Sequence, residues 1–218
     1  MYAMIFLVGI ERFQDKTAIE GKTVRIQGGR LRTRRFSGPK GDEARPLMAV
    51  IREAVFSILG PRIEGAKVAD VCAGTGTFGL EALSRGAVFV VFLEKSKKMA
   101  DLITKNLESL GLAGFAGVWP MDAQKGIQRL DKLKGVDIVF LDPPFFSEAG
   151  PRIMEALLKA PGLWRLLIVR FHKKEDWPMK LVDAFQGQVW LAKDKSYGES
   201  RLLFLEQREE SNVRAGHE

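Results

Sequence analysis

Residues 68–87, VADVCAGTGTFGLEALSRGA, decide the fold. An apolar run ends at Asp70, the glycine turn Gly74-Thr75-Gly76-Thr77-Phe78-Gly79 follows, and a helical pattern starts at once. This is a strand, turn and helix in which glycines permit positive φ and close approach of a ligand, while the helix N-terminus offers positive potential. The G-x-G-x-x-G pattern by itself leaves a nicotinamide and other nucleotide cofactors open.

Working outward, apolar β-rich runs alternate with helical patterns from residue 67 onward: KVADVC, VFVVFLE, GFAGVWPMD, VDIVFLD and LWRLLIVRFH are the strands between them. Strands apolar nearly throughout argue for a parallel sheet covered by helices on both faces. The stretch QVWLAKDKSYGESRLLFLEQ instead spells two strands joined near Tyr197-Gly198. The expected architecture is α/β: a doubly wound, mostly parallel seven-stranded sheet closed by a terminal antiparallel hairpin. Upstream, TVRIQGGRLRTRRF predicts two short strands around Gly28-Gly29, and RPLMAVIREAVFSILG predicts an amphipathic helix with Pro46 in its first turn and Gly60 past its end. The expected division is an extension at 1–22, a basic segment and helix at 23–60, the sheet domain at 61–207, and a polar tail at 208–218.

Ligands of doubly wound sheets sit at the carboxyl ends of the strands. Those ends hold Asp70 with Gly74 and Gly76, then Glu94, Asp122 and Asp142. Any single acid there could be a helix N-cap, but four successive strand ends carrying one point to a site. Glu94 stands twenty residues after Gly74, the offset of a ribose-binding acid in both nicotinamide and S-adenosylmethionine sites. Asp70 separates them: its carboxylate suits a cofactor presenting an ammonium and would repel a pyrophosphate. No histidine or tyrosine stands at a strand end as the acid of a dehydrogenase, so S-adenosylmethionine is the expected cofactor.

DIVFLDPPFFSE, residues 137–148, poses the chemistry. The exocyclic amine of a nucleobase is a poor nucleophile because its lone pair is delocalised into the ring. Asp142 and the carbonyl of Pro143 can accept its two N–H bonds and aim the lone pair at a methyl donor. Pro143 and Pro144 stiffen the turn and lack competing N–H donors, and Phe145 offers a flat face to an extruded base. The competing reading is an Asp-Pro turn beside a core phenylalanine.

The net charge of +7 is localised. Nine basic residues between Lys22 and Arg52 (Lys22, Arg25, Arg30, Arg32, Arg34, Arg35, Lys40, Arg45 and Arg52) face only Asp42 and Glu43, which leaves the rest of the chain neutral. Such a footprint suits a polyanion partner, and its arginine bias favours RNA or DNA over a bare solvated face. The single cysteine, Cys72, forms no internal disulfide, which is compatible with the cytoplasm. The apolar opening MYAMIFLVGI is too short to span a bilayer and is expected to be an extra strand or a misassigned start. His172 and His217 are isolated, so no metal site is expected, and Trp119, Trp164, Trp177 and Trp190 are expected to pack.

With these residues in place, the chain resembles the RsmD-type small-subunit (16S) ribosomal RNA guanine-N2 methyltransferases. The marks are RIQGGRLRTRRF, RPLMAVIREAVFSIL, the glycine motif, DPPF and KSYGES, from about Arg25 to Glu206. The resemblance implies a Rossmann-like class I methyltransferase fold and methyl transfer from S-adenosylmethionine to a guanine N2. It implies that Gly74 and Gly76 cradle the cofactor, that Glu94 binds its ribose, and that Asp122 and Ala123 meet the adenine. The amino-terminal segment, with Arg25, Arg30, Arg32, Arg34, Arg35 and Arg45, and the turn at Tyr197 would hold ribosomal RNA, as naked RNA or within an assembling subunit. Three positions depart from the pattern: Leu47 replaces a threonine, Cys72 an aromatic, and Arg170 an acid, the last affecting substrate contacts on its side. Alternatives are an adenine-N6 or DNA amine methyltransferase and a non-catalytic RNA-binding assembly factor.

Overall fold

The computed structural model describes residues 23–38 and 45–207. The apolar opening, Lys22, Lys40, the 39–44 loop and the tail with His217 lie outside the described residues. A two-stranded antiparallel ribbon, β1 (Thr23–Arg25) and β2 (Arg35–Ser37), precedes α1 (Arg45–Leu59). Then follow β3 (Lys67–Val71), α2 (Thr77–Ser84), β4 (Phe89–Leu93), α3 (Lys97–Ser109), β5 (Ala116–Trp119), α4 (Ala123–Leu130), β6 (Val136–Leu141), α5 (Ala149–Leu158), β7 (Trp164–His172), α6 (Trp177–Ala184), β8 (Val189–Tyr197) and β9 (Ser200–Gln207).

The strands from β3 onward form one seven-stranded sheet in the order β5-β4-β3-β6-β7-β9-β8. The pairs among β3 to β7 are parallel, whereas β9 runs antiparallel to both β7 and β8. The chain winds outward from β3 through β4 to β5, then restarts on the other side of β3 with β6. The order therefore switches between β3 and β6, and their carboxyl ends flank the crevice where such sheets take ligands.

Alternation along the strands splits the core in two. Val68, Val90, Phe92, Ile138, Phe140, Ile168 and Phe204 pack under α1, α2 and α3. Val71, Val91, Leu93, Val139, Leu141, Val169 and Leu205 pack under α4, α5 and α6. Ile26 and Phe36 of the amino-terminal segment belong to the first of these cores.

That segment is docked by a buried acid. Glu81 of α2, 1% exposed, accepts from the backbone N–H groups of Gln27 (2.9 Å) and Gly28 (2.8 Å) and pairs with Arg85 (2.7 Å) and Arg52 (3.4 Å). Gly29, at φ 74°, lies so close to Ser84 that any Cβ would collide with its carbonyl.

Three expectations are corrected. The ribbon's connection is longer than a Gly28-Gly29 turn, because residues 26–34 follow the surface of α2 before β2 begins. Helix α6 was not anticipated. Its apolar Met179, Leu181 and Val182 are only partly buried, which blurs the periodic stripe, and Pro178 occupies its first turn. Trp190 is 55% exposed rather than core, since β8 is the sheet edge.

Candidate active site

The glycine turn is fixed from below. Gly76, at φ 76°, caps α2, and Asp70 Oδ2 accepts from Gly79 N–H at 2.9 Å inside that helix's first turn. A Cβ on Gly76 would press on Phe92 and Ile103, whereas one on Gly74 (φ 57°) would meet nothing within 4 Å. Gly74 thus leaves open space above the turn. Glu94 ties the turn to the next strand end: Oε2 accepts from Gly74 N–H and Oε1 from Ser96 N–H, each at 2.7 Å. Burial pushes the Asp70 carboxyl up to about 8, and nearby Asp142 and Glu94 add to the rise against the Gly79 hydrogen bond. Asp122 is exposed and caps α4 by accepting from Gln124 N–H at 3.0 Å, with Ala123 buried behind it. Burial also pushes the Cys72 thiol up to about 12, which leaves it unreactive.

Asp142 enters from the neighbouring strand. Its N–H donates to Val71 O at 3.2 Å, so the Asp-Pro-Pro-Phe loop leaves β6 directly beside the chain leaving β3. Arg170 of β7 meets it there: Nε donates to Asp142 Oδ1 at 2.6 Å, Nη1 donates to Ser200 Oγ at 3.2 Å, and the guanidinium carbon lies 4.6 Å from the Phe145 ring centre. Burial raises the Asp142 carboxyl, and the charge and hydrogen bond of Arg170 oppose that rise. Asp142 Oδ2 and the Pro143 carbonyl accept no hydrogen bond among the described residues.

The mouth is aromatic. His172 stands edge-on to Phe145 at 5.3 Å and tilted to Phe146 at 4.7 Å. Phe146 is 65% exposed and holds a left-handed backbone (φ 57°) that a phenylalanine seldom adopts. Glu175 supports it, accepting from Phe146 N–H (3.0 Å), Trp177 Nε1–H (2.9 Å) and His172 N–H (2.9 Å).

The structure brings together Asp70, Gly74, Gly76, Glu94, Asp142, Pro143 and Phe145, with Asp122 and Ala123 one strand further out. Tyr197 joins the same end, since it pairs with Ser200, which in turn pairs with His172, and Leu47 of α1 lies against Gly198. The arginine turn does not join it. Arg30 N–H donates to Ser84 O at 2.8 Å, Arg34 Nη2 donates to Ser109 O at 3.3 Å, and Arg30 lies over Phe115. Ser84 and Ser109 end α2 and α3, so Arg30, Arg32 and Arg34 sit at the opposite edge of the sheet, roughly 20 Å away by the length of α3. Arg25 and Arg35 are exposed on the ribbon above them. Arg52 is corrected: it contributes no surface charge but is buried against Gln27, Arg25 O and Glu81. Sequence reasoning missed the pairing of Arg170 and the roles of Phe146, Glu175 and Glu81. Only Glu81 carried a local signal, as an acid within the apolar run FGLEAL.

A groove of about 620 Å³ opens between α4 and α5, touching Asp122 but facing away from the glycine turn. Among the described residues no cluster of His, Cys, Asp or Glu could hold a metal ion, and no helix is long and apolar enough to cross a membrane.

Comparison with known proteins places this geometry in context. The family model described as conserved hypothetical protein 95 matches residues 24–206. A Haemophilus influenzae protein named ribosomal RNA small subunit methyltransferase D is 31% identical over 157 residues, covering 72% of this chain and 81% of that one. The Escherichia coli K12 protein of the same name is 38% identical over 124 residues, 56% of this chain and 60% of that one. The solved Escherichia coli protein yhhF superposes with a TM-score of 0.71 at 27% identity, over 87% of this chain and 100% of that one.

Proposed function

The chain belongs to the conserved hypothetical protein 95 family, that of ribosomal RNA small subunit methyltransferase D, and from that premise we propose that it methylates the exocyclic N2 amine of a guanine in 16S ribosomal RNA. It is an S-adenosylmethionine-dependent ribosomal RNA methyltransferase. The finer assignments are to the guanine N2, to an RNA still within an assembling small subunit, and to the cytoplasm where such particles form.

The residues present fit the cofactor. Gly74 leaves clear space over the turn, and Glu94 retains lone pairs for ribose hydroxyls after its two backbone hydrogen bonds. In this reading Gly74 and Gly76 line the cofactor, Glu94 holds its ribose, Asp122 and Ala123 bound its adenine, and Asp70 answers its ammonium. When bound, S-adenosylmethionine supplies an electrophilic methyl group on a sulfonium. The chain's own part is to hold the nucleophile. Asp142 Oδ2 and the Pro143 carbonyl each accept one N–H of the amine, drawing its nitrogen toward tetrahedral geometry, while Phe145 and Phe146 flank the extruded base. Arg45 and Tyr197 bind RNA at the site end, and Arg25, Arg30, Arg32, Arg34 and Arg35 engage a more distant stretch of its backbone.

The observation that carries the reading is the hydrogen bond from Asp142 N–H to Val71 O, which seats two free acceptors beside the glycine turn. The test is methylation of unmodified small subunits and of naked 16S RNA with labelled donor, followed by mass spectrometry of the nucleosides. N2-methylguanine from wild type, and none from Asp142→Ala, is the expected result. N6-methyladenine in its place would move the assignment to another exocyclic amine.

A further inference from the structure

Arg170 is the one site residue whose type departs from the resembled pattern, and it touches every part of the catalytic loop that matters. Its Nε donates to one oxygen of Asp142, its Nη1 is anchored on buried Ser200, and its flat face covers one side of Phe145. A guanidinium is planar and always charged, so one side chain fixes a carboxylate and an aromatic ring in a single geometry. Lysine, a point charge on a flexible stem, cannot do all three.

We propose that Arg170 is a positioning residue for methyl transfer. It occupies Asp142 Oδ1 so that Oδ2 alone faces the substrate amine, keeps that carboxylate ionised, and covers one face of Phe145 so that the base has only the other. The proposal rests on the functional reading above, because its target is the acceptor role of Asp142.

The ionised state matters because a protonated Asp142 would present an O–H to an amine that also donates. Every other titratable group facing this carboxylate works against the negative charge or is neutral to it. Asp70 and Cys72 approach from the β3 side, Glu94 from beyond β4 and Asp122 from before α4. On the β7 side, His172 lies behind Phe145 and pairs with Glu199, which also holds Lys173. Arg170 is the cation in direct contact with Asp142.

The test is the pH profile of kcat between pH 5.5 and 9, using full-length chain, unmethylated small subunits and labelled S-adenosylmethionine. Arg170→Gln keeps a donor near Asp142 but removes the charge. Its acid limb is expected to move up by about one pH unit or more. At pH 7 its kcat falls at least about tenfold, most of which returns near pH 9, and its KM for the cofactor stays within about twofold. A merely structural role would lower the whole profile without moving the limb, and that result overturns the proposal. Should Arg170→Gln fail to fold, judged by loss of the cofactor-induced thermal shift, Arg170→Lys decides. The limb is then expected to stay in place while kcat drops at least about threefold, and wild-type turnover overturns the proposal. Wild type that binds the cofactor but methylates no RNA removes the functional reading and this one with it. Active wild type, silent Asp142→Ala and an unshifted Arg170→Gln limb remove this one alone.

Discussion

Two buried carboxylates, each gripped by arginine, do opposite work at opposite ends of this molecule. Glu81 receives four donors: Gly28 N–H and Arg85 on one oxygen, Gln27 N–H and Arg52 on the other. An ionised carboxyl has about four lone-pair sites, so Glu81 is saturated. Asp142 receives Arg170 on Oδ1 and, among the described residues, nothing on Oδ2. Saturation makes an acid a rivet, and a spare lone pair makes it a tool. The arginine partner alone does not tell the two apart.

The contrast can be broken experimentally. The largest effect is expected at the saturated acid: Glu81→Ala strands Arg52 in the core and should lower stability by about 3–5 kcal/mol, a fall of roughly 10 °C in Tm. A melt within a degree of wild type would show that the amino-terminal segment docks without it. Asp142→Asn should do the converse. Its Tm should stay within about 2 °C of wild type while kcat falls about a hundredfold or more, near 3 kcal/mol of barrier. A large loss of stability there would make Asp142 a second rivet.

Asp70 lies between the two cases, fully buried with one backbone donor. Its folded carboxyl sits at about 8 against an ordinary 3.8, so the folded chain keeps a proton that the unfolded chain releases in that window. Stability should therefore fall as pH climbs from about 4 to about 8 and level off above. Asp70→Asn cannot ionise and should flatten that slope, melting at least about 3 °C above wild type at pH 8 relative to the difference at pH 5. Parallel curves would place the titration elsewhere. The smallest effect belongs to the exposed arginines. Arg32→Ala or Arg35→Ala should each reduce the slope of log affinity for RNA against log salt by about one, without changing which base is modified.

Much of this was legible in the sequence because parallel strands buried on both faces are apolar throughout, which makes an acid at each carboxyl end conspicuous. Asp70, Glu94, Asp122 and Asp142 stood out for that reason, and the switch between β3 and β6 sets Asp70 beside Asp142. Contacts across long separations were hidden. Arg170 lies 28 residues from Asp142 and Glu81 lies 54 from Gln27, and no local pattern announces either pairing. The basic stretch was visible as charge, but its division was not. Arg52 turned inward to Glu81, and Arg30, Arg32 and Arg34 went to the far edge because α2 and α3 carry their docking points away from the site. Phe146 gave no sign of its left-handed backbone, which Glu175 holds from 29 residues away.

The place of β9 between β7 and β8 has a consequence for how the chain is made. Among the described residues β8 has no strand neighbour except β9, and β7 has β9 on its outer side. During synthesis the first five strands of the sheet can zip together in order as they emerge. The ribbon that ends in Tyr197 must wait, unpaired, until Ser200–Gln207 clears the ribosome. A stalled or clipped product lacking those eight residues would expose two raw edges at once, one of them flanking Arg170, so an incomplete chain would lose the support of its catalytic loop together with its solubility.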